Sequence, residues 1–260
     1  MAEGRISVER VDHVACLTLN NPRRLNAVSQ LMWDQIAVEM ARYDRDDGVR
    51  VVILQGAGTK AFAAGADISK FESERADAER IRDYERSVNR AYAAVQYAHK
   101  PTIAKVRGYC FGGGMGLASC CDIRICSEEA SFCIPAAKLG VGYGHNNTKV
   151  LMDLIGPSFA KEILYSGEPL DAARAARIGL VNHVVMADAL DDFVAAFVDR
   201  LVRNAPLSLR ASNLIVNELL KDEPDYDLCA RLSEDCAESH DIHEGRRAFV
   251  EKRLPEFKGH

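Results

Sequence analysis

The chain has 260 residues, the size of one large domain or two small ones. Hydrophobic residues make up 48% and charged residues 27%, which excludes a disordered, collagen-like or fibrous protein. Lys and Arg number 33 against 38 Asp and Glu, so the net charge of −5 leaves no global basic field for nucleic acid or an anionic membrane, and any anionic partner must be held by local groups.

The start, Met1-Ala2-Glu3-Gly4-Arg5, lacks the apolar core of a signal peptide, and no apolar run nears the roughly 18 residues of a membrane span, so a cytoplasmic location is expected. Val14 to Leu19 reads as a strand, and Ser29 is placed to cap a helix carrying Leu31, Met32, Ile36 and Met40 to about Arg45. Val51-Val52-Ile53-Leu54 is a continuous apolar strand of the kind buried on both faces of a parallel sheet. A charged helical stretch runs from about Asp77 to Tyr97, Lys100-Pro101 breaks it, and Thr102 to Val106 and then Ile123 to Cys126 form further strands. From about Ser158 helical patterns dominate: Phe159 to Tyr165, Asp171 to Ile178, Ala187 to Arg203, Pro206 to Leu220 and Tyr226 to Val250. That order predicts an α/β core with a helical C-terminal appendage suited to self-association. Of eight cysteines, Cys110, Cys120, Cys121, Cys126 and Cys133 sit among apolar and small residues without C-x-x-C spacing, which reads as buried free thiols rather than disulfides.

Two glycine-rich turns carry the chemistry. Val106 to Ala118, with Gly108, Gly112, Gly113, Gly114 and Gly116, joins a strand to an apolar helix and sets glycine amides at a helix N-terminus, where a ligand oxygen can approach closely. The segment fits neither G-x-x-x-x-G-K-[ST] nor the dinucleotide fingerprint, whose last glycine is Leu117 here. A tight turn that needs glycine only for packing is the plain alternative. The second turn, Lys60 to Ile68, follows Gly56-Ala57-Gly58, and two such turns after successive strands would share the carboxyl edge of a parallel sheet, where ligands bind.

Asn21-Pro22-Arg23-Arg24-Leu25-Asn26-Ala27, Phe62-Ala63-Ala64-Gly65-Ala66-Asp67-Ile68, Gly108 to Gly114 and Phe249-Val250-Glu251-Lys252-Arg253 resemble, in order and spacing, the enoyl-CoA hydratase/isomerase (crotonase) superfamily over nearly the whole chain. The resemblance implies a β-β-α superhelical spiral core over 1–200 and a helical trimerisation region over 201–260, assembled as a homotrimer or a dimer of trimers. It assigns the backbone N–H groups of Ala66 and Gly113 to an oxyanion hole for a thioester carbonyl, each donor supplying about 3–4 kcal/mol as the enolate forms. By the same resemblance Arg24 and Lys60 lie along the pantetheine and phosphate path, Ala64, Asp67 and Ile68 beside the adenine, and Phe249 and Lys252 reach coenzyme A, in some members from a neighbouring subunit. Coenzyme A enters as part of the substrate, with no prosthetic group and no metal.

The family's hydratases carry one Glu just after the G-G-G-x segment and another after the proline of the next loop. Gly116 and Ala136, after Pro135, stand there instead. General acid–base groups contribute about 10²–10⁴-fold each, so ordinary hydration or isomerisation would be badly impaired. The nearby polar residues are Tyr143, His145 and Asn146 in Leu139 to Thr148, ahead of a helix expected near Asn147. Tyr143 matches a tyrosine in a similar L-G-V-x-Y segment of the methylmalonyl-CoA decarboxylase branch. The plain alternatives are a helix cap for Asn146 or Asn147, a half-buried aromatic for Tyr143 and a loop histidine for His145. The first reading is a lyase that decarboxylates a malonyl-type CoA: CO₂ departure itself makes the enolate, and a pocket of Met115, Gly116, Ile134 and Ala136 would not repel the substrate carboxylate. The alternatives are hydration of an unusual enoyl-CoA with Tyr143 or His145 in place of the glutamates, acyl-CoA binding without turnover, and nucleophilic catalysis by Cys120 or Cys121 with His145.

Overall fold

The computed structural model describes residues 4–67, 70 and 76–260. The chain builds two sheets by turns. The larger has the order β1-β2-β3-β5-β7-β10, formed by Arg5–Val11, Val14–Asn20, Val51–Gly56, Thr102–Val106, Ile123–Ser127 and His183–Val185. The smaller has the order β4-β6-β8-β9, formed by Ala61–Ala63, Tyr109–Phe111, Ser131–Cys133 and Leu170–Asp171. β1 pairs antiparallel with β2 and β9 with β8, and every other pairing is parallel. Three successive passes, β3-β4, β5-β6 and β7-β8, therefore lay one strand in the large sheet and one short strand in the small sheet before turning into a helix, which is the β-β-α spiral the resemblance implies.

The helices are α1 (Gln30–Asp44), α2 (Ala78–Gln96), α3 (Gly113–Cys120), α4 (His145–Ser166), α5 (Ala172–Arg177), α6 (Leu190–Arg203), α7 (Pro206–Leu219), α8 (Tyr226–Glu238) and α9 (His240–Glu251). Ser29 caps α1 by accepting from Met32 N at 3.4 Å, and Asp77 caps α2 by accepting from the amides of Glu79 and Arg80. Val52 and Leu54 of β3 face the main core with Trp33, Phe62, Met115 and Phe132, whereas Val51 and Ile53 face a second cluster under Leu190, Val194 and Val198 of α6. Burial on both faces explains why this strand reads as an unbroken apolar run.

Several elements differ from expectation. Residues 61–63 and 109–111, read as loop, are strands, so both glycine turns follow strands of the small sheet. β1 carries exposed Val8 and Val11 and shows no clean alternation. The helix expected near Asn147 begins at His145 after Gly144, without a side-chain cap, and continues to Ser166 across a kink at Gly156-Pro157. The helix expected over Tyr226 to Val250 is two, because Ser239 leaves helical dihedrals and its hydroxyl accepts from Ile242 N at 3.3 Å. All eight cysteines are free, and the five named above are buried. Among the described residues no helix is long and apolar enough to cross a membrane.

Where α3 turns into β7, Asp122 Oδ2 accepts from Thr102 N at 2.7 Å, Thr102 Oγ1 at 2.8 Å and Asn213 Nδ2 at 3.3 Å, tying that corner to β5 and α7. Next to it the buried Arg124 donates to the carbonyls of Leu180, at 2.7 Å, and Cys121. Burial raises the Asp122 carboxyl to about 6, although the Thr102 hydrogen bonds and the Arg124 charge pull the other way. The folded chain thus holds this proton more tightly than the unfolded one, where the group titrates near 4. Its contribution to stability is complete below about pH 4 and is lost as the pH rises through about 6. Asp122→Asn keeps an acceptor for Thr102 and removes the titration. Urea unfolding should show a flatter pH dependence for this variant between pH 4 and 6, and a stability about 2 kcal/mol above wild type at pH 8.

Candidate active site

The site starts from a buried asparagine. Asn26, at φ 58° after a 3-10 turn over Pro22–Arg24, donates from Nδ2 to the carbonyls of Ala57 (2.9 Å) and Ala61 (2.8 Å), while its Oδ1 accepts from Asn21 N at 3.1 Å. The segment after it is then zipped to the loop that follows β4. Ala64 N donates to Leu25 O at 2.9 Å, Val28 N to Gly65 O at 2.8 Å and Asp67 N to Val28 O at 3.1 Å. Because Gly65 and Asp67 face Val28, the alternation of an extended backbone turns the intervening Ala66 N–H the other way, and among the described residues it has no hydrogen-bond partner.

The second turn comes from β6. Gly112, at φ 51° and ψ −118°, donates to Cys133 O at 2.7 Å and delivers the chain into α3. Gly113 opens that helix, so its N–H lacks an intrahelical acceptor. The two turns touch backbone to backbone: a Cβ on Gly65, at φ 103°, would lie 3.3 Å from Phe111 O and 3.8 Å from Gly113 N, and one on Gly112 would lie 3.6 Å from Gly65 Cα. Parallel pairing of β4 with β6 puts them side by side, as expected of turns at one sheet edge.

At Gly116, where the resemblance leads one to expect a carboxylate, the space is filled. A Cβ there would sit 2.4 Å from Tyr92 Oη and 3.0 Å from Tyr143 Oη. Tyr92, buried on α2, meets Trp33 edge-on at 5.4 Å between ring centroids and donates its hydroxyl to Gly113 O at 2.8 Å. Trp33 is held in turn by Nε1 donating to Tyr84 Oη at 3.1 Å. Burial pushes both phenols above the usual tyrosine range, and Tyr143 raises Tyr92 further, so both are neutral at physiological pH. Ala136 is half-buried and offers a carbonyl already taken by Leu139 N at 3.1 Å and Val141 N at 3.0 Å.

Of the residues singled out in the sequence, the fold brings the amides of Ala66 and Gly113 to adjoining turns and Tyr143 to Gly116. His145 is exposed at the first residue of α4, and among the described residues no hydrogen bond joins it to either turn. Arg24 is exposed and donates to the buried Asp67 at 3.3 Å, close to half-buried Ala64, while Lys60 is exposed at the entry to β4. Ile68 lies outside the described residues. Phe249, 86% exposed, and Lys252 stand at the end of α9, without a hydrogen bond or ion pair to the turns among the described residues. Cys120 and Cys121 are buried thiols, the first pushed up to about 12, which removes them as nucleophiles and corrects that reading. Tyr92 was missed in the sequence. Its signal was present, since Tyr84, Ala91, Tyr92 and Val95 make the buried stripe of an otherwise charged helix.

The enoyl-CoA hydratase/isomerase family matches residues 9–260. The chain is 33% identical to a crotonyl-CoA hydratase of Syntrophomonas wolfei, over 99% of both proteins. It is 32% identical to a 2,3-dehydroadipyl-CoA hydratase of Escherichia coli, covering 97% of this chain and 98% of that one. Among solved structures, an enoyl-CoA hydratase/carnithine racemase from Magnetospirillum magneticum superposes with a TM-score of 0.95 at 37% identity, covering 100% of this chain and 97% of the other.

The packing at Gly116 yields a double-mutant prediction. Gly116→Ala forces a methyl against Tyr92 Oη and should cost about 1–3 kcal/mol in urea unfolding. Tyr92→Phe removes the nearest atom, Oη at 2.4 Å, while ring Cζ at 2.9 Å and Tyr143 Oη at 3.0 Å remain, so in that background the same substitution should cost less, a non-additivity read directly from the cycle.

Proposed function

The chain belongs to the enoyl-CoA hydratase/isomerase family, and on that premise we propose that it adds water to an enoyl-CoA through an enolate, with neutral tyrosines in place of the glutamates. The observation that carries the proposal is that the amides of Ala66 and Gly113, unpartnered among the described residues, lie on adjoining turns, and that two neutral hydroxyls crowd Gly116 on the helix Gly113 opens. The amides receive the thioester oxygen as it gains charge, each contributing about 3–4 kcal/mol. A hydroxyl both gives and takes a proton. As the water oxygen bonds to the β-carbon, a water proton passes to Tyr143 Oη while the Tyr143 proton passes to the α-carbon, and the tyrosine ends neutral. Tyr92 spends its proton on Gly113 O, which leaves Tyr143 as the relay. Relatives named as hydratases support this reading. Arg24 and Lys60 would serve the phosphates of coenzyme A, and Ala64, Asp67 and Ile68 the adenine. Phe249 and Lys252 would act from the C-terminal helix, across subunits of a homotrimer or a dimer of trimers. Coenzyme A is part of the substrate in this proposal, and no prosthetic group is invoked.

A second reading has its own support: Gly116 and Ala136 place no carboxylate at those two positions to repel a malonyl-type substrate. There the C–C bond to the carboxylate breaks, its electron pair becomes the enolate, and Tyr143 or water protonates the α-carbon.

Incubation with crotonyl-, methylmalonyl- and ethylmalonyl-CoA, with products identified by mass, separates the two. The expected result is a water adduct of crotonyl-CoA whose kcat falls about 10²–10⁴-fold in Tyr143→Phe. Loss of CO₂ from the malonyl thioesters without any water adduct would replace the first reading with the second, and tight binding of every thioester without product would overturn both.

A further inference from the structure

The Gly113 N–H lies on the peptide that joins Gly112 to Gly113, and a planar trans peptide points its N–H opposite to its C=O. On that peptide Gly112 O accepts from Gly116 N at 3.0 Å, and the peptide before it is held by Gly112 N donating to Cys133 O at 2.7 Å. The peptide after it is held by a side chain, with Gly113 O accepting from Tyr92 Oη at 2.8 Å. Gly112, Gly113 and Gly114 carry no Cβ, so side-chain sterics restrain none of the dihedrals linking these peptides, and the hydrogen bonds set the direction of the N–H.

A carbonyl in the first turn of a helix already has an intrahelical donor four residues on, so the Tyr92 hydrogen bond is not there to satisfy an orphan. It adds restraint. The phenol is itself fixed: it is buried, its ring meets Trp33 edge-on at 5.4 Å, and a Cβ on Gly113 would lie 3.1 Å from Trp33 Cζ2, so the indole packs directly beside that glycine. α2 therefore reaches Gly113 through Tyr92, and α1 reaches it through Trp33.

We propose that Tyr92 is a positioning residue for the oxyanion hole: its hydroxyl fixes the first turn of α3 so that the Gly113 N–H points at the thioester oxygen, and Trp33 holds its ring in place. In this role Tyr92 itself touches no reacting atom. Its contribution is directional. A hydrogen bond weakens steeply as its angle closes, and the loss is greater for an oxyanion than for a neutral carbonyl because charge-assisted bonds are the stronger ones. The proposal rests on the enolate reading of the site and deepens it.

Infrared difference spectroscopy of butyryl-CoA, isotope-labelled at the thioester carbonyl and bound to the whole protein, reads the polarisation of that carbonyl without turnover and without any proton passed by Tyr143. The stretch should fall in frequency on binding to wild type, and Tyr92→Phe, which keeps the ring against Trp33, should lose most of that fall. With crotonyl-CoA the same variant should lose about tenfold in kcat while KM stays within about twofold, the split expected of a donor that counts mainly in the transition state. Tyr84→Phe removes the hydroxyl that accepts from Trp33 Nε1, on the same buried stripe of α2, and should lower stability while keeping the full fall in frequency. An unchanged stretch in Tyr92→Phe overturns the proposal and leaves the oxyanion reading standing, as does an equal loss in Tyr84→Phe, which would make the effect one of packing. A wild-type complex with an unshifted carbonyl, or no binding of butyryl-CoA, overturns the proposal together with the oxyanion reading beneath it.

Discussion

The close approach of two main-chain turns is the constraint on which the rest of this structure depends. Two amides can converge only if the strands that deliver them run parallel and side by side, and only if no Cβ stands between the turns. Gly65 and Gly112 meet that condition at positive φ, and the corners behind them repeat it: a Cβ on Gly108 would lie 2.0 Å from Lys60 O, and one on Gly56 would lie 2.2 Å from Ala61 O. The spiral of short strands gives those corners their register, since β4 and β6 are neighbours in the small sheet while β3 and β5 are neighbours in the large one. Asn26 then locks the first corner from the side. Its amide reaches two carbonyls on either end of the β3–β4 turn, so the loop bearing Ala66 is set by hydrogen bonds made several residues away from it.

Charge at this site is organised independently of the overall balance. An acidic protein of net charge −5 can still favour an oxyanion, because backbone amides and the start of α3 carry fixed partial positive charge that does not titrate. One side-chain cation beside this turn is partly committed, with Arg24 sharing its guanidinium with Asp67. In the proposed reaction, stabilisation of the developing negative charge would fall to dipoles held by the fold, which need no reorganisation as the charge appears.

The sequence disclosed most of this where a physical signal spans enough residues. The apolar run of β3, the Ser29 cap, the helix from about Asp77 and the two glycine turns were all readable, and so was the meeting of the turns at one sheet edge. Strands of three residues were not, because a period of two cannot be distinguished from chance over Ala61–Ala63 or Tyr109–Phe111. The break between α8 and α9 was hidden for a related reason: the apolar spacing runs on through Ser239, and only the cap geometry of that one residue stops the helix. Tyr92 was obscured by its surroundings, since α2 is charged enough to read as a solvated surface helix even though its buried stripe carries the aromatic that touches Gly113.

The exchange of glutamate for glycine at 116, inferred from the family resemblance, is then better seen as a change made by three residues together. A side chain at 116 and the hydroxyls of Tyr92 and Tyr143 compete for the same volume, so the loss of one is the condition for the others. What changes is the kind of group that fills the space. A carboxylate there would bring negative charge beside an oxygen that is itself about to become negative, and it would offer a base. Two phenols kept neutral by burial bring no charge, cannot hold a proton removed from carbon, and can act only by donating or by passing a proton through. With Tyr92 committed to Gly113 O, Tyr143 is the one of the two hydroxyls left to pass a proton in the proposed reaction, in which the enolate forms without a strong base at position 116.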